Sequence, residues 1–188
     1  MAGELWLIRH GETDWSLTGQ HTGRTDVSLT AEGERQARML AGKLTGRKFS
    51  VVLTSPLTRA RRTCELAGFG GVAQIEPNLA EWDYGAYEGL TSEEIQQDHP
   101  GWTIFGDGAP GGETIAQVAG RAQSVIARAV GAGGDVALFA HGHILRILAA
   151  CWLELPPDGG RYFALSPAGI STLGYEHIAR VITRWNLT

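Results

Sequence analysis

The sequence is short of several things, and each shortage narrows what the chain can be. Its 188 residues include only two cysteines, Cys64 and Cys151, far apart and outside any Cys-x-x-Cys or Cys/His ligand spacing. That argues against a disulfide framework and for free, buried thiols in a reducing compartment. There is no basic surplus: 16 Lys and Arg stand against 20 Asp and Glu, a formal net charge of −4, which leaves no general footprint for nucleic acid. No run approaches the roughly 20 apolar residues of a membrane span, and the N-terminus has no charged start followed by a short apolar stretch. The expected location is therefore the cytoplasm, with no membrane partner. Internal repeats and low-complexity tracts are missing. So are a P-loop and a Gly-x-Ser-x-Gly elbow, which sets aside P-loop nucleotide hydrolysis and the common serine hydrolase arrangement.

What is present reads as one α/β domain over residues 1–188. Hydrophobic residues make up 43% and charged residues 19% of the chain, ordinary for a folded globular protein. Leu5 to Ile8, Phe49 to Leu53 and Val136 to Ala140 are nearly continuous apolar runs, the pattern of strands covered on both faces. Helical patterns separate them. Thr30 is placed to cap a helix carrying Ala37, Leu40, Ala41 and Leu44, and Pro56 stands at the expected first turn of another that runs towards Leu66. Thr114 precedes a long amphipathic run with Ile115, Val118, Ala122, Val125, Ile126 and Ala129 on one face. The expected fold is a three-layer α/β sandwich with a mostly parallel central sheet. Ile170 to Tyr175 and Ala179 to Trp185 predict an edge hairpin. Residues 68–112, rich in Gly, Pro, Asp and Glu, predict a loop-rich excursion over the active site. Trp6, Trp15, Trp152 and Trp185 are expected in or beside the core, and Trp82 and Trp102, lying in loops, against a substrate. His21, His99 and His177 have no partner motif and are expected as surface or hydrogen-bonded residues.

The chemistry gathers at strand ends. Leu5-Trp6-Leu7-Ile8 runs into Arg9-His10-Gly11, and Val136 to Ala140 runs into His141-Gly142-His143. In open α/β sheets, ligands bind outside the carboxyl ends of the strands, so two parallel neighbours bring both histidines to one crevice. The third strand leads to Ser55-Pro56-Leu57-Thr58-Arg59 and adds a guanidinium. Of Arg61 and Arg62, about 100° apart on a helix, at least one must face solvent. Arg9, Arg59 and His141 around His10 supply the positive charge that a phosphoryl group requires, and the same cations lower the basicity of His10. Glu81 in Glu81-Trp82-Asp83-Tyr84-Gly85 is the candidate proton donor for a leaving alcohol, with Asp83 and Glu88 as rivals. A metal hydrolase built on His10, His141, His143 and nearby carboxylates is disfavoured: residues i and i+2 on a strand point apart, and no His-Glu-x-x-His accompanies them.

Five ordered motifs carry a resemblance: Arg9-His10-Gly11-Glu12-Thr13; Thr22-Gly23-Arg24-Thr25-Asp26 with Leu29-Thr30 and Gly33; Thr54-Ser55-Pro56-Leu57-Thr58-Arg59-Ala60; Glu81-Trp82-Asp83-Tyr84-Gly85; and Ala140-His141-Gly142. Together they resemble the histidine phosphatase (phosphoglycerate mutase-like) superfamily. The resemblance implies a phosphoglycerate mutase-like fold and a phosphohistidine at His10. It implies phosphate-pocket roles for Arg9, Arg59 and His141, and Glu81 as the acid that later activates water. It implies substrate-binding positions at Thr13, Ser16, Thr22, Gly23, Tyr84, Gly142 and His143; at Ser16 many members carry Asn, which reaches further. Neither a metal nor another cofactor is implied, and the partner is a small phosphorylated substrate. Self-association leaves no mark in the sequence.

Mutases of this superfamily hold a substrate carboxylate with a Lys after the Glu loop and an Arg pair beyond it. No Lys or Arg occurs between Arg62 and Arg121, and Ser92 stands where the lysine is expected. Hydrolysis is therefore the expected outcome, with phosphoglycerate mutase and a noncatalytic phosphate-binding module as alternatives. Gln20-His21-Thr22-Gly23, the Glu81 to Gly89 stretch, Asp107-Gly108 with Gly112-Glu113-Thr114, and Phe139 to His143 resemble the fungal sedoheptulose-1,7-bisphosphatase branch. That likeness implies a sugar phosphate or bisphosphate, with Arg24, Trp102 and His143 as positions that tune its choice.

Overall fold

The apolar strand runs take the middle of a single sheet because both of its faces are covered. A computed structural model describes residues 3–188. In chain order the elements are β1 (Leu5–Arg9), α1 (Asp14–Thr18), α2 (Ala31–Leu44), β2 (Val51–Thr54), α3 (Thr58–Leu66), β3 (Gln74–Ile75), α4 (Ser92–Asp98), α5 (Ile104–Asp107), α6 (Ile115–Gly131), β4 (Val136–Ala140), α7 (Gly142–Trp152), β5 (Ile170–Glu176) and β6 (Ala179–Leu187), with short 3-10 turns between them.

The six strands lie in the order β3-β2-β4-β1-β5-β6. Parallel pairing joins β3, β2, β4 and β1, while β5 is antiparallel to both of its neighbours. Alternate residues of each central strand face opposite layers. Leu5, Leu7, Leu53, Val136 and Leu138 join Val118, Ala122, Val125 and Ile126 of α6 and Ile144, Leu145 and Leu148 of α7 in one apolar cluster. Trp6, Ile8, Val52, Ala137 and Phe139 join Leu40, Leu44, Cys64 and Ala67 on the other side. This is the expected α/β sandwich, and the edge hairpin is β5–β6. Among the described residues no helix is long and apolar enough to cross a membrane.

Local capping follows the sequence in two cases and departs from it in a third. Thr30 caps α2 by accepting from the Gly33 N–H, and Thr114 forms a capping box with Gln117 at the start of α6. The helix after β2, however, begins at Thr58, beyond Pro56, with Leu57 in the N-cap position and no side-chain cap of its own. The cap comes from a distant segment: Asp26 accepts from the Thr58 N–H at 2.8 Å and from its hydroxyl at 2.6 Å. Residues 68–112 hold more order than composition suggests. They include the two-residue edge strand β3, the helix α4, whose start is a Thr91/Glu94 capping box, and the single turn α5.

Candidate active site

Register alone brings the two His-Gly corners together. Arg9 of β1 lies opposite Ala140 of β4, so His10 and His141 leave the sheet side by side, their ring centroids 5.1 Å apart. His10 Nδ1 lies 2.7 Å from the Gly11 carbonyl oxygen. A carbonyl only accepts, so Nδ1 carries the proton and Nε2 keeps its lone pair. The corner is tight: a Cβ on Gly11 would stand 2.3 Å from the Gly33 carbonyl oxygen, which only glycine avoids. Burial, followed by Arg9 and Arg59, holds His10 well below the ordinary imidazole range. The sequence argument put the cations first; loss of water is the larger cause.

His141 is placed differently. Arg59 Nε donates to its Nδ1 at 3.1 Å, so its proton sits on Nε2 and is donated to Ser55 Oγ at 2.7 Å. Both ring nitrogens are occupied, and burial ahead of Arg59 keeps this ring neutral as well. The rest of the Arg59 guanidinium donates to the carbonyls of Thr22, Gly23 and Thr25, each at 2.9 Å. From the opposite side Glu88 accepts the Gly23 and Thr25 N–H groups. The 22–25 loop is thus held between a buried cation and a carboxylate.

Glu81 closes the arrangement. Its carboxylate accepts from the N–H groups of Trp82, His143 and Ile144 at 2.9 to 3.0 Å, two of them in the first turn of α7. A helix N-terminus suits an anion there. Arg121 anchors the approach to Glu81 by donating to the carbonyls of Asn78 and Ala80 and pairing with Glu113 at 2.7 Å. Tyr84 Oη and His143 Nδ1 are hydrogen-bonded at 2.5 Å. Burial pushes the Tyr84 phenol well above its ordinary range, so the hydroxyl keeps its proton and donates it.

These groups surround a cleft of about 170 Å³ lined by Arg9, His10, Ser16, Gly19 to Thr22, Glu81, Tyr84, Gly142, His143, Arg146 and Leu165. Larger hollows lie by Asp98, His99 and Asp107 and between α6 and α7, but neither brings a histidine, an arginine and a carboxylate together with a helix N-terminus. Arg9 enters the cleft with one guanidinium nitrogen bonded to the Leu165 carbonyl, while its buried Nε–H has no acceptor within the protein. An unpaired buried donor costs roughly 1–3 kcal/mol.

Of the expected site residues, His10, Arg9, Glu81, Ser16, Thr22, Tyr84, Gly142 and His143 share this cleft. Arg59, His141, Thr13 and Gly23 stand in the layer behind it. Thr13 is buried because it caps α1 in a reciprocal box with Ser16, which also ties the Ser16 hydroxyl to the Thr13 backbone. Gly23 is enclosed by Trp82, Tyr84 and Glu88. Trp82 and Trp102, expected against substrate, are core residues, with indole N–H groups bonded to the Glu113 and Gly108 carbonyls. Neither rival carboxylate reaches the cleft: Asp83 pairs with exposed Arg24, and Glu88 serves the 22–25 loop. Arg62 pairs with Glu34 at 2.9 Å, and Arg61 is exposed.

Gly19, Gln20, His21, Arg146 and Leu165 line the cleft without having been expected there, and two of them carry ionisable groups. His21 was expected at the surface or in a hydrogen bond; it does reach Ser92 Oγ at 3.4 Å, but it also lines the cleft and packs on Tyr84 and Trp102. Arg146 is the second guanidinium in the wall. It lies over the Phe105 ring and donates to the Gly160 and Arg161 carbonyls. Its spacing was a usable signal: Gly142 and Arg146, four apart, share one face of α7.

Residues 5–188 match the family described as the histidine phosphatase superfamily, branch 1. The chain belongs to this superfamily. It is a phosphatase, a hydrolase of phosphoric monoesters. An acid phosphatase of Mycobacterium tuberculosis is 43% identical over 98% of this chain and 92% of its own. The sedoheptulose 1,7-bisphosphatase of Saccharomyces cerevisiae is 35% identical over 79% of this histidine phosphatase and 67% of its own length. The solved structure of an open reading frame from Mycobacterium tuberculosis superposes with a TM-score of 0.94, at 42% identity, covering 99% of this chain and 98% of that one. The mycobacterial relative is therefore nearer than the fungal branch, both in identity and in coverage.

Proposed function

We propose that this histidine phosphatase hydrolyses small phosphorylated metabolites, sugar phosphates or bisphosphates, through a phosphohistidine at His10. One observation carries the reading: the His10 ring, with its lone pair on Nε2, and Arg9 line one cleft with Glu81. His10 Nε2 forms the bond to phosphorus as the ester P–O bond breaks, and Glu81, having taken up a proton brought in with the phosphate monoanion, gives it to the departing alkoxide. Glu81 then takes a proton from water as the water oxygen attacks phosphorus. The N–P bond breaks, its electron pair returns to His10, and inorganic phosphate leaves. Arg9 neutralises the equatorial oxygens directly, while Arg59 contributes positive charge and the neutral His141 ring shape from behind the wall. No step is routed through a metal.

Arg146 favours a second anionic group on the substrate. It faces the cleft on the same helix as Gly142 and His143, where it matches a distal phosphate, with Tyr84–His143 beside it for substrate hydroxyls. The mutase alternative asks for more basic holding groups than the 63–120 region supplies, and Ser92 reaches His21 instead.

The deciding experiment is a panel of sugar mono- and bisphosphates run in EDTA beside 3-phosphoglycerate with its bisphosphate, with the phosphoenzyme trapped. Phosphate release that survives EDTA, highest on sugar bisphosphates, and an acid-labile, base-stable phosphoenzyme are expected. Rapid mutase turnover overturns hydrolysis as the main reaction, and full activity in His10→Ala overturns the mechanism.

A further inference from the structure

A hydroxyl outside the cleft reaches the nucleophile through one residue, Gly11. Thr63 lies in the second turn of α3, fully buried. Its Oγ1 donates to the Arg59 carbonyl one turn back, at 2.7 Å. Because the hydroxyl has one hydrogen and spends it there, its lone pair is what remains for the Gly11 N–H, which donates to it at 3.1 Å. On the other side of the corner the Gly33 backbone lies against the Gly11 Cα, which joins the two peptides, so the residue has little room to shift. The carbonyl of that same Gly11 accepts the His10 Nδ1 proton.

We propose that Thr63 is a positioning residue for His10: it holds the Gly11 residue whose carbonyl fixes the imidazole with its lone pair on Nε2. The inference rests on the reading of His10 as nucleophile. It couples two strand ends, since the helix that carries Arg59 also sets the plane of the histidine ring. A valine at this position keeps the shape and the β-branch but leaves the Gly11 N–H buried without an acceptor. The His10–Gly11 peptide then loses its anchor, only the next peptide stays held, through the Glu12 N–H on Gln36 Oε1 at 3.0 Å, and part of the His10 population moves its proton to Nε2, where it cannot attack.

The test is Thr63→Val with Thr63→Ser as the rescue, read by steady-state kinetics and by ¹⁵N NMR of the His10 ring. Thr63→Val is expected to lower kcat about tenfold with KM changed less than about threefold, a scale set by small misplacements of a reacting group. It is also expected to show a mixed tautomer signature, and Thr63→Ser to return both to near wild type. Wild-type kcat and a pure Nδ1–H signature in a folded Thr63→Val protein overturn the proposal. If Thr63→Val does not fold, the wild-type protein decides: an unprotonated Nδ1, or a Gly11 amide exchanging at the open-chain rate, overturns it equally, and a protonated Nδ1 with a protected amide supports it. Full activity in His10→Ala sinks the nucleophile reading instead, and leaves these ring and amide readouts unaffected.

Discussion

His10-Gly11 and His141-Gly142 are the same dipeptide at the ends of adjacent parallel strands, yet they meet opposite fates. The first ring keeps one nitrogen free and faces a cleft; the second spends both nitrogens on Arg59 and Ser55 and is sealed from solvent. The difference is made by what arrives opposite each corner. Gly33 lies against the first and Thr63 of α3 accepts its Gly11 N–H, whereas Arg59, one turn earlier on α3, and Ser55 after β2 occupy both nitrogens of the second. A local motif at a strand end thus names a position, and the third element to arrive assigns its use.

The largest expected effect tests that asymmetry directly. His10→Gln is expected to lower kcat by about a thousandfold or more and to abolish phosphoenzyme, as loss of a nucleophile does. His141→Gln is expected to cost about a hundredfold while still forming phosphoenzyme, the scale for misplacing the groups that a buried brace holds. Equal losses, with phosphoenzyme absent from both in rapid-quench trapping, break the comparison.

Removing the group that captures His141 comes next. Arg59→Met leaves the Thr22, Gly23 and Thr25 carbonyls and an imidazole nitrogen without their donor, and an expected loss of roughly 3–5 kcal/mol follows in urea unfolding. Arg62→Met, which breaks surface pairs only, serves as the control at roughly 0.5 kcal/mol. Similar losses in the two variants would mean that the Arg59 network carries no special weight.

The smallest effect is one that both histidines share. Each is held below its ordinary basicity chiefly by burial, so below about pH 6.5 the unfolded chain takes up protons that the folded protein does not. Stability therefore rises with pH through that window, flattens above it, and falls on acidification by up to about 1.4 kcal/mol per pH unit for each ring. Urea unfolding at pH 7 and pH 5.5 is expected to show a shallower fall in either glutamine variant than in the wild type. Unchanged slopes would mean that the rings titrate alike in both states.

Much of the fold could be read in advance because it rests on short-range signals. Continuous apolar runs mark β1, β2 and β4, and Thr30 and Thr114 announce α2 and α6 through their own side chains. The helix start at Thr58 could not be read, since its cap is Asp26, more than 30 residues away. β3 and α5 are too short to show a period and owe their order to pairing and packing, whereas α4 carries a local signal of its own in the Thr91/Glu94 capping box. At the site, Arg9, His10, Glu81 and His141 stand in motifs, so their chemistry is visible as text. Arg146 and His21 do not, and Trp82 and Trp102 look like loop aromatics until α6, α7 and the 22–25 loop close around them.

Side-chain chemistry and chain order were enough to give the class of reaction and the strand-end location of the residues proposed to carry it, because each depends on residue type and on which way a strand runs. Which histidine keeps a lone pair, which arginine meets the ligand and which braces the wall depended on contacts between segments far apart in the chain. Those contacts follow from hydrogen-bond donors and acceptors being satisfied all at once in a packed interior, a condition that no single stretch of sequence contains.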